Sequence, residues 1–515
     1  METNGEYQER QVIGEKSTGK LLRTLMHNYV YALLALTAVL FFLTRLTNLK
    51  GVPIQVDESI YINWGQYALA GHFGKSFLMG VPPLHQIALV PFLKIFSDPL
   101  VGARVCSVFF GFISLTTIVL LGREFHSLEA GAWAGLFWAV SPYAIWYERL
   151  GLIESMVIAL TLLAVYFSVK AVLSDNVLWL IGTAVFLGFA MWTKLTAELF
   201  FLVIPFAYLL RGTKQRDRNR KRPLIRWISS VILALLVSYG MYNLLRLSPK
   251  FSRLALYSRK NTIPLGQLLK TPFSRFTSNV NHITVITWKL AVPLLLIIGL
   301  LGIIAGLFLK WRGSYFLLCW FGIIMMVVSL ITRVGAGSRY FMVLLPPLML
   351  GAGYAVTELP RRLWALIRQE HNSASPALAT GLIILLLVIA LGIAVPAGKT
   401  DVNRVYHPER LAELQRSSWG WGYDQAIETI KGMKQQGKTL LTCNDSFTHT
   451  VLKDYGISII PLGKALSRVS TQGHIVYFVG PVKAAKTLTL VDVRRYPDAR
   501  NPYGLVFGRL TKKSS

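Results

Sequence analysis

The run YVYALLALTAVLFFL (Tyr29–Leu43) decides the fold, because it carries no charge and no polar face. GLIILLLVIALGIAV (Gly381–Val395) repeats the pattern far down the chain. Between them, runs of about 18 or more nearly uncharged residues recur, each long enough to cross roughly 30 Å of hydrocarbon at about 1.5 Å per residue. Barrel strands would alternate in polarity over about ten residues, and these runs do not. The chain therefore reads as an α-helical polytopic membrane protein. Composition agrees: of 515 residues, 53% are hydrophobic and only 15% charged, too apolar for a soluble chain of this length.

The net charge of +29, from 54 Lys and Arg against 25 Asp and Glu, suggests nucleic acid at first sight. The basic residues instead cluster in short loops, RGTKQRDRNRKR (Arg211–Arg222) and Arg361, Arg362 and Arg368. That clustering fits the excess of Lys and Arg in cytoplasmic loops, so no nucleic-acid partner is expected. Cys106, Cys319 and Cys443 show no metal-ligand or C-x-x-C spacing. A polar tail, residues 1–27, leads into the first run, which continues into Thr44-Arg45-Leu46 without a small-x-small cleavage site; it reads as an uncleaved signal-anchor with its N-terminus inside.

Keeping loops 211–226 and 358–372 inside predicts about eleven spans: 28–46, 100–121, 129–147, 152–173, 177–194, 196–210, 224–246, 287–309, 314–332, 338–357 and 377–396. Pro83–Phe96 is too short and reads as a juxtamembrane or re-entrant helix. Residues 28–396 thus form the membrane domain. Residues 397–515 lack a spanning run and read as a small extracytoplasmic α/β domain, with a helix at Trp421–Gln435 and strands at Thr439–Cys443, Gly473–Gly480, Leu488–Val493 and Gly504–Leu510.

Ionisable residues near lipid are costly and mark functional sites. Here they gather at the outer ends of spans: Asp57-Glu58 and His85 in the first outer loop, Glu148-Arg149 and Glu154 after Ser141-Pro142, Lys194 closing Gly188–Lys194, and Arg333, Arg339 and Tyr340 around a glycine-rich corner. Each also has a plainer reading. Asp57 and Glu58 suit a helix N-terminus, Arg149 and Glu154 an interfacial ion pair, Lys194 a snorkelling anchor, and Arg339 and Tyr340 an interfacial belt.

The constellation resembles the GT-C type membrane glycosyltransferases, in particular the protein O-mannosyltransferase and aminoarabinose-transferase-like group, glycosyltransferase family 39. The resemblance covers roughly residues 28–360. It rests on an Asp-Glu pair after the first span, Pro82-Pro83-Leu84, Ala103-Arg104 entering the second span, Ser141-Pro142 followed by Arg149 and an acid, and Thr193-Lys194. The acid is Glu154 where such proteins more often have Asp, and the C-terminal domain has no recognisable counterpart.

The resemblance implies transfer of a sugar from a polyprenyl-phosphate donor to an acceptor hydroxyl at the outer face of the cell membrane. Its partners would be membrane lipid, that donor, and a protein, lipid or glycan acceptor. The chemistry asks for the same groups. A carboxylate must take the acceptor's proton, so Asp57, Glu58 and Glu154 are the catalytic candidates, with Asp57 first. Cations must hold the departing phosphate, a task for Lys194, Arg339 and Arg333; Arg149, Tyr340 and His85 complete the substrate-binding candidates. One base with direct displacement inverts the anomeric centre. His72 and His85 lie near the acidic pair, but lone loop histidines rarely bind metal, and no metal or other cofactor is assigned.

A transporter or flippase is the main alternative. Such proteins carry ionisable groups near the bilayer midplane and repeated halves, and residues 28–210 do not recur in 224–396. A receptor-like protein would leave the converging acids and bases without purpose.

Overall fold

The computed structural model describes residues 29–370 apart from 52–53, 79, 212–220, 255–262, 264, 272 and 333–337, together with Ile430 and five strands between residues 440 and 510. The N-terminal tail, Arg333, the span at 377–396 and the helix expected at Trp421–Gln435 lie outside the described residues, Ile430 excepted.

The helices used below are α1 (Tyr29–Leu46), α2 (Val56–Leu69), α3 (Leu84–Ile95), α4 (Pro99–Phe125), α5 (Leu128–Val140), α6 (Pro142–Glu148), α7 (Ile153–Leu173), α8 (Trp179–Thr193), α9 (Leu195–Leu210), α10 (Pro223–Leu247), α11 (Phe276–Leu290), α12 (Pro293–Phe308), α13 (Arg312–Ile331) and α14 (Leu345–Glu370). Six stretches among the described residues are long and apolar enough to cross a membrane: α1, α4, α7, α10, α13 and Arg339–Arg362, which runs into α14. The last is 94% buried inside the protein and α7 72%, whereas α10 is only 22% buried. The first two form the interior of the bundle and α10 faces outward.

Several expected spans take other shapes. The range 129–147 breaks at Ser141-Pro142, where proline has no N–H to extend α5 but suits the first position of α6. α8 has 15 residues, roughly 22 Å of rise, and α9 is a shorter mixture of 3-10 and α turns interrupted by Pro205. The range 287–309 is the end of α11 and all of α12, bent by 116° where Pro293 restarts the helix. The expected loop 358–372 is helical to Glu370. α3 is a short apolar helix, as expected of Pro83–Phe96.

Glycine sets the close approach of α12 to α14: a Cβ at Gly302 would collide with the Gly351 carbonyl, and one at Gly351 with that of Gly299. In the C-terminal region the five strands are β1 (Leu440–Cys443), β2 (Ile460–Pro461), β3 (Val476–Pro481), β4 (Leu490–Asp498) and β5 (Asn501–Leu510), in sheet order β2-β1-β3-β5-β4. β1 is parallel to β2 and β3, whereas β5 is antiparallel to both β3 and β4.

Candidate active site

The site begins with a cap. Gln55 accepts from Asp57 N at 2.7 Å, and Glu58 Oε2 accepts from Gln55 N at 2.8 Å. This reciprocal capping box starts α2 and fixes both acids in its first turn. Their side chains then part.

Glu58 turns inward and is fully buried. Arg104 of α4 donates to both its oxygens, each at 2.8 Å, and Gly151 N donates to Oε1 at 2.7 Å. Glu58, expected among the catalytic candidates, thus has all its contacts within the protein and no exposed face. Gly151 precedes α7, so the same carboxylate that starts α2 also anchors the loop carrying Glu154.

Asp57 stays partly open. Its Oδ2 accepts from Arg339, whose Nε lies 3.5 Å from Glu154 Oε1. Lys194 Nζ meets that same oxygen at 2.7 Å. The result is a chain of four charges, Asp57–Arg339–Glu154–Lys194, from the N-termini of α2 and α7, the residue closing α8, and the 3-10 turn Ser338–Leu344. Glu154 at a helix N-terminus and Lys194 at a helix C-terminus each have the sign the helix dipole favours. Tyr340 lies beneath both cations, with its ring centre 4.1 Å from Lys194 Nζ and 5.3 Å from the Arg339 guanidinium.

Exposure separates the two carboxylates. The Asp57 side chain is 27% exposed and that of Glu154 only 2%. The first is partly open, while the second is buried against two cations.

Arg149, expected beside Glu154, donates to the carbonyls of Thr47 and Asn48 at 2.8 and 2.9 Å and of Thr44 at 3.3 Å, which ties the end of α1 in place. Sequence reading also passed over Arg45, which pairs with Glu148 at 2.8 Å with both side chains fully buried, and Trp138, which donates to the same carboxylate at 2.9 Å. An arginine at the end of a span with no counter-charge nearby in sequence was the available signal.

Behind the charges, α3 brings His85, with its ring 5.3 Å edge-on from that of Tyr61 on α2. The buried Gln86 amide, oriented as its surroundings require, donates to the Pro82 and Pro83 carbonyls at 3.1 and 2.9 Å and fixes the turn that seats His85. Burial pushes the His85 imidazole down to about 4, outweighing the opposing charge of Glu154. The unfolded chain, with an ordinary imidazole near pH 6.5, binds a proton that the folded chain refuses. Stability from this source is therefore full above about pH 6.5 and declines as pH falls from there toward about 4. Thermal melts from pH 7.5 to 5 should show a decline that is shallower in His85→Asn; identical slopes would remove His85 as its source.

Among the described residues no three His, Cys, Asp or Glu side chains are grouped to hold a metal ion.

Residues 80–242 match the family described as dolichyl-phosphate-mannose-protein mannosyltransferase. That segment holds His85, Glu154 and Lys194; Asp57 and Arg339 lie on either side. ArnT from Cupriavidus metallidurans superposes with a TM-score of 0.55 at 14% identity, over 94% of this chain and 98% of that one. The fold is GT-C. The GT-C chain of ArnT is also known bound to undecaprenyl phosphate, again with a TM-score of 0.55 at 14% identity, over 93% and 98% of the two chains. The Archaeoglobus fulgidus oligosaccharyltransferase aligns with a TM-score of 0.53 at 11% identity, over 95% of this chain and 75% of that one. No curated protein sequence matches the chain. Residues 80–242 thus match a mannosyltransferase family, and the fold is the one seen in ArnT.

Proposed function

We propose that this GT-C protein transfers a sugar from a polyprenyl-phosphate donor to an acceptor hydroxyl at the extracytoplasmic face of the cell membrane, with inversion at the anomeric carbon. The observation that carries this reading is the Asp57–Arg339–Glu154–Lys194 chain, which places an accessible carboxylate beside two cations on a bundle that lipid can approach from the side. The ArnT structure with undecaprenyl phosphate supports the donor class.

In the proposed reaction the donor's phosphate reaches Arg339 and Lys194 by diffusion within the leaflet. Arginine offers five N–H donors, enough to take phosphate oxygens while Glu154 keeps its hold. Drawing Arg339 toward the phosphate loosens its contact with Asp57 and leaves the Asp57 carboxylate open to the acceptor hydroxyl. Asp57 accepts the acceptor's proton as the hydroxyl oxygen bonds to the anomeric carbon. The bond from that carbon to the phosphate oxygen breaks, and its electron pair leaves with the phosphate, held by the two cations.

Lys194→Ala and Arg339→Ala test the donor half. Each removes a charge-assisted contact worth roughly 10- to 100-fold in affinity. Both should weaken binding of undecaprenyl phosphate by purified protein; unchanged affinity and turnover would reduce the two side chains to interfacial anchors. For orientation, a cysteine at position 220 in a background lacking the three native cysteines should resist impermeant reagents added outside. Its labelling from outside would put the site on the cytoplasmic face.

The C-terminal region, residues 397–515, is assigned to acceptor choice or stability, because all four members of the charge chain lie before it.

A further inference from the structure

Two basic clusters lie at opposite ends of the bundle, and the usual excess of Lys and Arg on the cytoplasmic side accounts for only one of them. The first is marked by Arg211, which pairs at 3.0 Å with Asp175 in the corner between α7 and α8, one helix length away from Glu154 and Lys194. α10 carries the chain from there to the other end, where Trp192, two residues before Lys194, donates to the Met241 carbonyl at 2.8 Å. The second cluster starts here. Between Asp217 and Glu358 the sequence has no acidic residue, yet from the last turn of α10 onward it places Arg246, Lys250, Arg253, Lys270 and Arg275.

Contacts hold this segment against the rim that carries the charge chain. Lys250 donates to the Gly74 carbonyl in the first loop. Ile263 N donates to the Ile331 carbonyl at 2.8 Å. Asn279, one turn after Arg275, donates to the carbonyls of Ser329 and Thr332 at 2.9 and 2.7 Å, where α13 ends and the chain turns toward Arg339. The His282 ring lies 6.0 Å from that of Phe341, in the turn that bears Arg339. Arg246, Arg253, Lys270 and Arg275 are exposed. The acids of this rim are engaged elsewhere: Asp57 by Arg339, Glu154 by Lys194, and Asp98 by Lys50 at 2.7 Å. Glu198, which acts on Tyr242 together with Arg246, offsets at most one base. A positive surface remains.

Its apolar neighbours say what meets it. Leu247 is 84% exposed and Phe273 65%, with Leu244 and Trp288 also open. Lys and Arg interleaved with open Leu, Phe and Trp suit the boundary between headgroups and acyl chains, where apolar side chains enter the hydrocarbon and cations reach the phosphates. A soluble acidic chain would answer the charges and leave Leu247 and Phe273 in water.

We propose that Arg246, Lys250, Arg253, Lys270 and Arg275 form a collar that binds the headgroups of anionic phospholipids in the leaflet at the charge-chain end of the bundle. The collar selects the boundary lipid there, and it stands independently of the transferase reading.

The test reads the lipid at this rim directly. Phe273→Cys, in a background lacking the three native cysteines, carries a bimane label on the full-length protein in phosphatidylcholine nanodiscs. Quenching by brominated phosphatidylglycerol and by brominated phosphatidylcholine gives their relative association at that position. Phosphatidylglycerol should be favoured about fivefold or more, the worth of one basic side chain near an anionic surface, and high salt should shrink the preference. Arg253→Gln, Lys270→Gln and Arg275→Gln combined, all at exposed positions, should bring the ratio near one, and Arg226→Gln at the opposite end should leave it unchanged. Arg275→Gln alone should lower it partway and serves if the triple variant does not fold. Equal association of the two lipids with the otherwise unaltered protein, or a preference that survives these changes, would overturn the collar. So would capture of soluble polyglutamate by the same side chains without a preference for phosphatidylglycerol, the mark of an acidic-chain partner. Loss of the preference to inorganic phosphate, beyond the effect of chloride at equal ionic strength, would overturn it in favour of a free-phosphate site.

Discussion

Asp57→Asn is expected to lower turnover by roughly 10²-fold or more while leaving the affinity for undecaprenyl phosphate near that of the unaltered protein. The substitution keeps the side chain's size, and the cap is untouched because Gln55 accepts from the backbone N–H of residue 57. It removes the ability to hold a proton at neutral pH, and general-base assistance is typically worth about 10²- to 10⁴-fold. Donor binding should survive, since Lys194 and Arg339 keep Glu154 between them. Initial rates and lipid affinity measured on one preparation separate the two effects. Near-normal turnover would remove Asp57 from the chemistry, and Glu154 is a poor successor because its side chain is 2% exposed and tied to two cations.

Glu58→Gln is expected to fail differently, through folding. The carboxylate satisfies Arg104, Gly151 N and Gln55 N at once, and neutralising it leaves the Arg104 guanidinium buried without its counter-charge. Breaking a buried pair from one side typically costs about 3–5 kcal/mol, while replacing both partners with apolar groups can be nearly neutral. Glu58→Gln should therefore lower the yield and melting temperature of detergent-solubilised protein, and Glu58→Leu with Arg104→Met should recover part of both. A Glu58→Gln protein that melts normally but has no turnover would return Glu58 to the reacting groups.

This contrast marks where sequence reading stops. The Asp-Glu pair is visible in the sequence, and so is the helix it opens. Which acid is buried is decided by Arg104, 46 residues away, a distance over which no periodicity runs. Lys194 and Arg339 were legible as span-end cations, because an ionisable group closing an apolar span stands out. The partners assigned by proximity in sequence were less secure: Arg149, five residues before Glu154, holds the end of α1 instead. Apolar runs located most helices but not their breaks, since Ser141-Pro142 and Pro293 sit within hydropathy that continues on both sides.

The spacing of the four charges along the chain also orders the events of its synthesis. Glu154 and Lys194 are 40 residues apart, whereas Asp57 waits for Arg339 across 282. At a ribosomal pace of about 5–20 residues per second, that wait is on the order of 15–60 s. During it, Asp57 remains without its final counter-ion while Glu58 can already close on Arg104. The Asp57–Arg339 pair is thus completed only after the chain has been made through Arg339, so a chain arrested earlier would present the Asp57 carboxylate with no guanidinium beside it.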